Sequence, residues 1–232
     1  MAADDEIWDL ENLRRARRLG DWVFEQFRPY VRGRVAEIGA GIGTYSERIR
    51  AAGVEDLLLV EPDPACSARL ERDFAGRATV AAEELPAAPS LRPEDRDLVV
   101  ALNVVEHIPD DYGAVAAMAR ALRPGGVLTL LVPAHPRLYG KLDVKYEHAR
   151  RYTKERLRDV VERAGLDVLD LYRFNALGIL GWVVKNRTGD PRLDPRSLAA
   201  YERILPAYRF LVEDRVRPPV GLSLIVHARR GA

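Results

Sequence analysis

Two carboxylates bracket a glycine-rich turn near the start of the sequence. Glu37 stands two residues before the first glycine of the Gly-Ala-Gly-Ile-Gly run at residues 39–43, and Glu61 ends a later apolar run. Glycines at this spacing let the backbone turn sharply and approach a ligand where a Cβ atom would intrude. An acid about 20 residues beyond such a turn is placed to bind ribose hydroxyls. The pattern predicts a nucleotide-type site; for the glycines alone, close packing of two elements is the alternative.

The nearest competing interpretation is a dinucleotide site. That site requires a Gly-x-Gly-x-x-Gly pattern and holds a pyrophosphate at the helix N-terminus. In this sequence the third glycine, Gly43, comes one residue early. The charge of Glu37 would repel a pyrophosphate but would attract a cationic amine. The charge therefore favours a ligand that carries an amine.

Three of the four histidines are candidates for acid–base chemistry. His107 follows an apolar run, and His135 and His148 lie in a polar loop after another. An imidazole near its ordinary pKa accepts a proton at neutral pH, so each is a candidate base, with a structural role as the alternative. Arg150 and Arg151 are candidates to bind an acceptor anion, or else they bridge carboxylates within the protein.

The elements that must position these groups follow from the apolar runs. We predict strands over residues 35–38, 56–60, 78–80, 97–102, 127–132, 166–174 and 222–228. We predict helices over 7–30, 44–52, 65–74 and 112–122, a turn at 123–126, and a further helix capped by Thr153. Alternation of strands and helices predicts a parallel, doubly wound sheet, whose ligands bind at the C-terminal ends of the strands.

At these motifs the sequence resembles the class I S-adenosylmethionine (SAM) dependent methyltransferases. The resemblance rests on the glycine turn after Glu37, the acid Glu61, the Glu106-His107-Ile108 turn and the Arg-Pro-Gly-Gly run at 123–126. It implies an α/β, Rossmann-like, doubly wound sheet of seven strands, mostly parallel with an antiparallel last strand, and helices on both faces. It also implies SAM as cofactor and S-adenosylhomocysteine as product.

The resemblance assigns cofactor contacts residue by residue. Glu37 would hold the methionine amine, Glu61 the ribose, and Asn103 the methionine part of SAM. The sequence departs from the family where an adenine-binding acid usually stands, at Ala81 and Ala82, which leaves Glu83 or a backbone group for the adenine. The expected cofactor-binding residues are Glu37, Gly39, Ala40, Gly41, Gly43, Glu61, Pro62, Glu83 and Asn103.

The acceptor side is expected in residues 133–152 and 175–220. The Pro-Ala-His-Pro run at 133–136 and the Arg-Arg-Tyr-Thr run at 150–153 resemble a bacterial subgroup of these methyltransferases. Ala149 stands where the subgroup commonly has an aromatic residue, which puts its usual acceptor in doubt. The expected catalytic or acceptor-contacting residues are His148, His107, His135 and Tyr152, with packing as the alternative for the tyrosine.

Composition bounds the remaining classes. The 232 residues suit one domain, 1–232, with residues 1–30 as a helical cap over the site. A formal net charge of +1 provides no field toward nucleic acid, and one cysteine, Cys66, excludes an intramolecular disulfide. No export signal or membrane span is evident, so we expect a cytoplasmic protein. The apolar run 176–184 is expected to form a lid, a face for a homodimer or partner protein, or a lipid-tail groove.

The sequence therefore predicts methyl transfer from SAM to an oxygen or nitrogen of a small molecule, a natural product or a lipid-linked sugar. No metal is expected, because the sulfonium is already a strong electrophile. Two alternatives remain open. One is a SAM-binding fold with repurposed chemistry, such as a cyclisation or elimination, and the other is a non-catalytic SAM-binding partner subunit.

Overall fold

A computed structural model describes residues 3–188 and 195–231 of the chain. In this part of the chain, one mixed sheet contains seven strands. They are β1 Arg34–Ile38, β2 Asp56–Val60, β3 Thr79–Ala81, β4 Arg96–Leu102, β5 Leu122–Pro133, β6 Leu166–Phe174 and β7 Ser223–Arg230. Residues 1–2 of the predicted cap and 189–194 of the predicted segment 175–220 lie outside the described residues.

Helices connect and flank the strands. They are α1 Ala3–Arg15, α2 Arg17–Phe27, α3 Ser46–Ala51, α4 Pro64–Asp73, α5 Asp111–Ala121, α6 Lys141–Lys145, α7 Lys154–Arg163, α8 Leu177–Thr188 and α9 Pro195–Tyr208. Short 3-10 turns occur at Arg28–Tyr30 and Pro136–Leu138, and a π-helical turn occurs at Arg209–Glu213. None of the helices described is long and apolar enough to cross a bilayer.

The sheet has the order β3-β2-β1-β4-β5-β7-β6. The first five strands in that order pair in parallel, and β7 lies antiparallel between β5 and β6. The predicted fold class is therefore confirmed. The chain order reverses at β1, so the loops after β1 and β4 leave the sheet side by side, which is where ligands bind in such folds.

The two faces of the sheet are covered separately. Successive residues of β1 enter different clusters: Val35 packs in one, with Trp22 and Phe27 of α2, and Ala36 packs in the other. Because successive side chains of a strand point to opposite faces, helices cover both sides. Each fully buried Leu or Val contributes about 1.5–3 kcal/mol. Trp22 is thus a core aromatic, whereas Trp8 is 42% exposed.

The observed strands differ from the predicted ones mainly at residues 123–126, where the sequence predicted a turn. Arg96 pairs with Leu122 and Leu98 with Val127, so residues 123–126 bulge out inside β5 instead of preceding it. Gly125 takes a positive φ of 79° there, which glycine adopts without strain. The prediction failed because a bulge needs the same residue types as a turn. Strands at 56–60 and 166–174 coincide with their predicted bounds, and helix α3 starts two residues later than predicted.

One buried histidine makes the stability of this fold depend on pH. His227 of β7 is 4% exposed, and its Nδ1 lies 2.9 Å from the hydroxyl of Thr129. Burial lowers the pKa of His227 from 6.5 to about 4; nearby Asp170 opposes this effect and Arg217 adds to it. The rings of Tyr30 and Tyr172 also face it. The folded protein therefore keeps His227 neutral where an unfolded chain protonates it.

We predict that the free energy of unfolding of His227→Asn falls less steeply in mild acid than that of the wild type. Between pH 6.5 and about 4 the unfolded state binds the additional proton, so the free energy of unfolding falls as the pH falls. This difference in pKa corresponds to roughly 3 kcal/mol at most. Urea unfolding of wild type and variant at several pH values measures the effect. Equal acid slopes for the two proteins would contradict the assignment.

Candidate functional site

The glycine turn follows β1 and is hydrogen-bonded to the end of neighbouring β2. Gly39, Gly41 and Gly43 have φ values of 66°, 55° and 83°, in the left-handed region that favours glycine. The amide of Gly39 donates to the carbonyl of Val60 at 2.8 Å, across the two parallel strands. A Cβ at Gly39 would overlap a methyl group of Val104, and one at Gly43 would lie 2.7 Å from Phe74. The sequence signal for a tight turn is thus explained by geometry and by close packing together.

Glu61 ties this turn to the end of β2. Its Oε2 accepts from the amide of Gly41 at 2.7 Å, and its Oε1 accepts from the amide of Asp63 at 3.0 Å. The carboxylate is 7% exposed and Pro62 beside it is exposed. Asp63 caps α4 by accepting from the amides of Ala65 and Cys66. The backbone therefore fixes the orientation of Glu61 at the edge of the turn.

Glu37 lies behind the same turn. The residue is 3% exposed, and its carboxylate accepts from the hydroxyl of Ser46 at 2.6 Å. Burial raises the pKa of Glu37 to about 8; the Ser46 hydrogen bond opposes the rise and the charge of Glu61 adds to it. Within the described residues, no Lys or Arg side chain forms an ion pair with Glu37. A cationic ligand group would therefore be attracted to this position.

Asn103 and Glu83 complete the predicted cofactor side. Asn103 is exposed at the end of β4, with a φ of 55° that non-glycine residues seldom adopt. Its amide donates to the carbonyl of Leu131 at 2.8 Å, so neighbouring β5 holds the strained backbone. The carboxylate of Glu83 instead accepts from the amide and hydroxyl of Ser90. Glu83 thus stabilises its own loop. A backbone group is therefore the better candidate to bind the adenine.

Two predicted histidines come together on the other side of Asn103. Ligand atoms of Glu106, His107 and His148 all lie within 4.8 Å of one another. The two imidazole rings pack edge to face, with centroids 4.7 Å apart. Desolvation and the neighbouring His148 lower the pKa of His107. Two segments far apart in the sequence therefore meet at the sheet edge where parallel strands place their ligands.

A buried aspartate orients His148. Nδ1 of His148 lies 2.9 Å from Asp143, whose carboxylate is wholly buried and also pairs with Arg151 at 2.7 Å. Burial would raise the pKa of Asp143, but the hydrogen bonds from His148 and Arg151 outweigh it and hold that pKa below its usual value. Arg151 therefore bridges a carboxylate within the protein. Arg150 likewise donates to the carbonyls of Ile108 and Pro109, so both arginines bind groups of the protein itself.

Tyr152 and His135 do not join this cluster. Tyr152 is wholly buried in the core, with its hydroxyl 3.0 Å from Asp111, which favours packing, the alternative given for it; contact with an acceptor stays a prediction. The pairing of its backbone with Ala134 carried no signal in the sequence. His135 is half-buried, with a φ of 59° and an Nε2 that lacks a hydrogen-bond partner among the described residues.

Helix α1 links the two sides of the site. Leu10 lies 3.6 Å from the position of a Cβ on Gly41, and Arg14 forms an ion pair with Glu47 at 3.1 Å. Asp9 binds Lys145 at 2.6 Å and the hydroxyl of Tyr146 at 2.9 Å. One helix thus contacts both the glycine turn and the segment that carries His148. The sequence indicated a covering helix but carried no signal for the roles of Asp9 or Asp143.

Comparison with known proteins agrees with this geometry. A family model described as a methyltransferase domain matches residues 11–171. An uncharacterised methyltransferase of Mycobacterium bovis BCG is 29% identical over 116 residues, which cover 50% of this chain and 45% of that protein. A ubiquinone biosynthesis O-methyltransferase of Cereibacter sphaeroides is 28% identical over 160 residues, covering 61% of this chain and 63% of that protein. The match thus spans about half to two-thirds of these relatives.

The fold also has close counterparts among solved structures. An S-adenosylmethionine dependent methyltransferase from Mesorhizobium loti superposes with a TM-score of 0.65 at 17% sequence identity. The superposition covers 91% of this chain and 98% of that one. At this level of identity the likeness concerns the fold alone.

A pair of glycine variants tests whether the turn is held by packing. Gly39 and Gly53 both have positive φ, but a Cβ on Gly53 meets nothing within 4 Å. We predict that Gly53→Ala costs about 1–2 kcal/mol of unfolding free energy, from backbone strain alone. Gly39→Ala should cost about 1–3 kcal/mol more, because its Cβ collides with Val104. Chemical denaturation measures both; equal losses would show that Val104 moves aside freely.

Proposed function

The chain belongs to the methyltransferase domain family, and on that premise we propose that it transfers the methyl group of SAM to an oxygen or nitrogen atom of a small-molecule acceptor. The observation that carries the proposal is the glycine turn held between two acids, Glu37 and Glu61. Natural products and lipid-linked sugars fall within the acceptor class. Oxygen is the preferred atom, since relatives matched over more than half of the chain are named O-methyltransferases.

In the proposed complex, SAM lies along the edge formed by the turns after β1, β2 and β4. Glu61, already oriented by the amide of Gly41, accepts the ribose hydroxyls. Glu37 attracts the methionine amine, and its own ionisation becomes favourable once that cation is present. Asn103 contacts the methionine portion from the end of β4. Gly39, Ala40, Gly41 and Gly43 supply backbone against the nucleoside, and Pro62 lies beside the ribose.

The acceptor binds on the side of His107 and His148. Asp143 fixes the orientation of the His148 ring and stabilises one tautomer, which leaves Nε2 toward the acceptor. His148 is therefore the group on which acceptor orientation or deprotonation depends. His135 lies outside this group, and Tyr152 supports it from the core.

The chemistry is an in-line displacement at the methyl carbon. A lone pair of the acceptor forms the new bond to carbon while the carbon–sulfur bond breaks and its electrons return to sulfur. The acceptor proton leaves to the His148 side or to water. Correct placement of the acceptor supplies about 7–11 kcal/mol of such a barrier, so positioning carries most of the acceleration.

The direct test is transfer of labelled methyl from SAM into an extract of small molecules, divided into organic and aqueous phases. We predict that Glu61→Gln lowers both SAM affinity and transfer at least tenfold, because one charged hydrogen-bond acceptor is lost. Glu84→Gln, at an exposed carboxylate after β3, is the matched control and should behave as wild type.

The outcome separates this proposal from its rivals. A product heavier by one methyl group supports methyl transfer. A product without added methyl would identify repurposed chemistry, such as a cyclisation or elimination. Retained SAM binding with no product in either phase, even with the extract supplemented by phenols, amines and sugars, would favour a partner subunit.

A pH dependence of SAM binding tests the role of Glu37. The pKa of about 8 in the unliganded protein means that an amine-bearing ligand must expel a proton to pair with the carboxylate. Affinity should therefore rise between about pH 5.5 and 7.5, by up to tenfold per unit, before the ligand's own α-amine deprotonates. The groups facing Glu37 are Ser46, Tyr45 and Glu61.

Calorimetric titration with S-adenosylhomocysteine in buffers of different ionisation enthalpy measures both the affinity and the protons released. Glu37→Gln should bind more weakly and lose the slope. A slope that persists unchanged in Glu37→Gln would assign the titration to another group.

A further inference from the structure

The acceptor side of the site has a feature that methyl transfer alone does not use. The carboxylate of Glu106 is wholly buried, and neither of its oxygens has a hydrogen-bond partner among the described residues. An isolated buried carboxylate is costly, and proteins normally give such a group a partner. Glu106 faces His107 and His148 and also lies near Arg151, so a partner for its carboxylate would bind in the space among these side chains.

We propose that Glu106, His107 and His148 bind a divalent first-row transition-metal ion. Their ligand atoms lie within 4.8 Å of one another, close enough to converge on one ion with small side-chain adjustments. The set of two imidazoles and one carboxylate is typical of zinc and iron sites in enzymes. This inference goes against the expectation from the sequence that no metal is needed.

The surroundings of His148 match those of a metal ligand. Ligating histidines usually donate their second ring nitrogen to a carboxylate, which fixes the ring and the tautomer. Asp143 provides that carboxylate at 2.9 Å from Nδ1, so Nε2 is the atom left for an ion. Asp143 is held in turn by the amide of Gly140 at 2.8 Å and by Arg151 at 2.7 Å. The supporting shell is therefore already built.

The backbone holds the two halves of the cluster together. The amide of Ala149 donates to the carbonyl of Glu106 at 2.8 Å, and the amide of His148 donates to the carbonyl of Asp143 at 2.9 Å. These bonds fix His148 next to the turn that carries Glu106 and His107. The backbone thus places a buried Glu106, a half-buried His148 and an exposed His107 side by side.

The charge of the cluster also favours a cation. The cluster holds two carboxyl groups, Glu106 and Asp143, and the guanidinium of Arg151, which pairs with Asp143 and also lies near Glu106. Among the described residues Glu106 forms no close ion pair, and a buried carboxylate that ionises without one is strongly destabilising. A divalent ion would compensate it, and three protein ligands leave further positions open for water or an acceptor atom.

The position of the cluster gives the ion a role in the proposed reaction. Glu106 and His107 lie three and four residues after Asn103 on the turn that follows β4, at the edge of the sheet where the methyl donor is proposed to bind. An acceptor hydroxyl or carboxylate oxygen bound there would be oriented by the ion, and an acceptor proton would then leave to water, because the ion occupies Nε2 of His148. This second step rests on the proposed function, whereas metal binding itself does not.

Metal binding is tested on the purified full chain after chelation, without SAM or acceptor. We expect one Co²⁺ per chain, with a visible d–d absorption that Zn²⁺ abolishes by competition, and a melting temperature that rises with Zn²⁺. Acetohydroxamate, a bidentate oxygen ligand, should change the Co²⁺ spectrum because coordination positions are open. No saturable spectrum at one equivalent would overturn the proposal.

Variants locate the site. Glu106→Gln and His148→Ala should each weaken Co²⁺ and Zn²⁺ binding at least a hundredfold, and His135→Ala, a histidine of the same segment outside the cluster, should leave it unchanged. Binding that survives Glu106→Gln at wild-type affinity would overturn the assignment. Melting temperatures without metal control for folding, and binding of S-adenosylhomocysteine to the same samples tests the proposed function separately.

Discussion

The hydrogen bond from the amide of Gly41 to Glu61 holds together the two halves of the cofactor side. It connects the turn that leaves β1 with the residue that follows β2, and both strands end at the same edge because they run in parallel. The position of Glu37 depends on this arrangement, since its carboxylate lies behind the turn on Ser46. The site is therefore a consequence of strand order, because a reversal at β1 is what opens the space that these groups surround.

Local patterns in the sequence were sufficient for this half of the molecule. The run Asp56–Val60 is a strand with the predicted bounds, and residues 39–43 have the backbone conformation that their glycines indicated. These features were predictable because a buried strand and a positive φ are determined by the residue types at those positions and their immediate neighbours. The bulge at residues 123–126 was not, since its shape follows from the pairing of β5 with β4.

The acceptor half depends on contacts between residues that are distant in sequence, and there the sequence was a weaker guide. It singled out His107 and His148, but not that Asp143 would lie behind one of them or that Glu106 would be buried without a partner. It also put Tyr152 at the acceptor, whereas the bridge between Ala134 and Tyr152 turns that side chain into the core. Helix α8 leaves Leu180 exposed, and its assignment as a lid or partner face stays a prediction.

The bond between Asp9 of α1 and Lys145 of α6 has a consequence for turnover. The same helix packs on the glycine turn through Leu10, so α1 contacts both sides of the site. If spent cofactor leaves past this helix, the Asp9 contacts have to be released first. Lids of this kind often set the pace of catalysis through product release instead of bond making. In such an enzyme, helix α1 would influence the rate of product release although it carries none of the reacting groups.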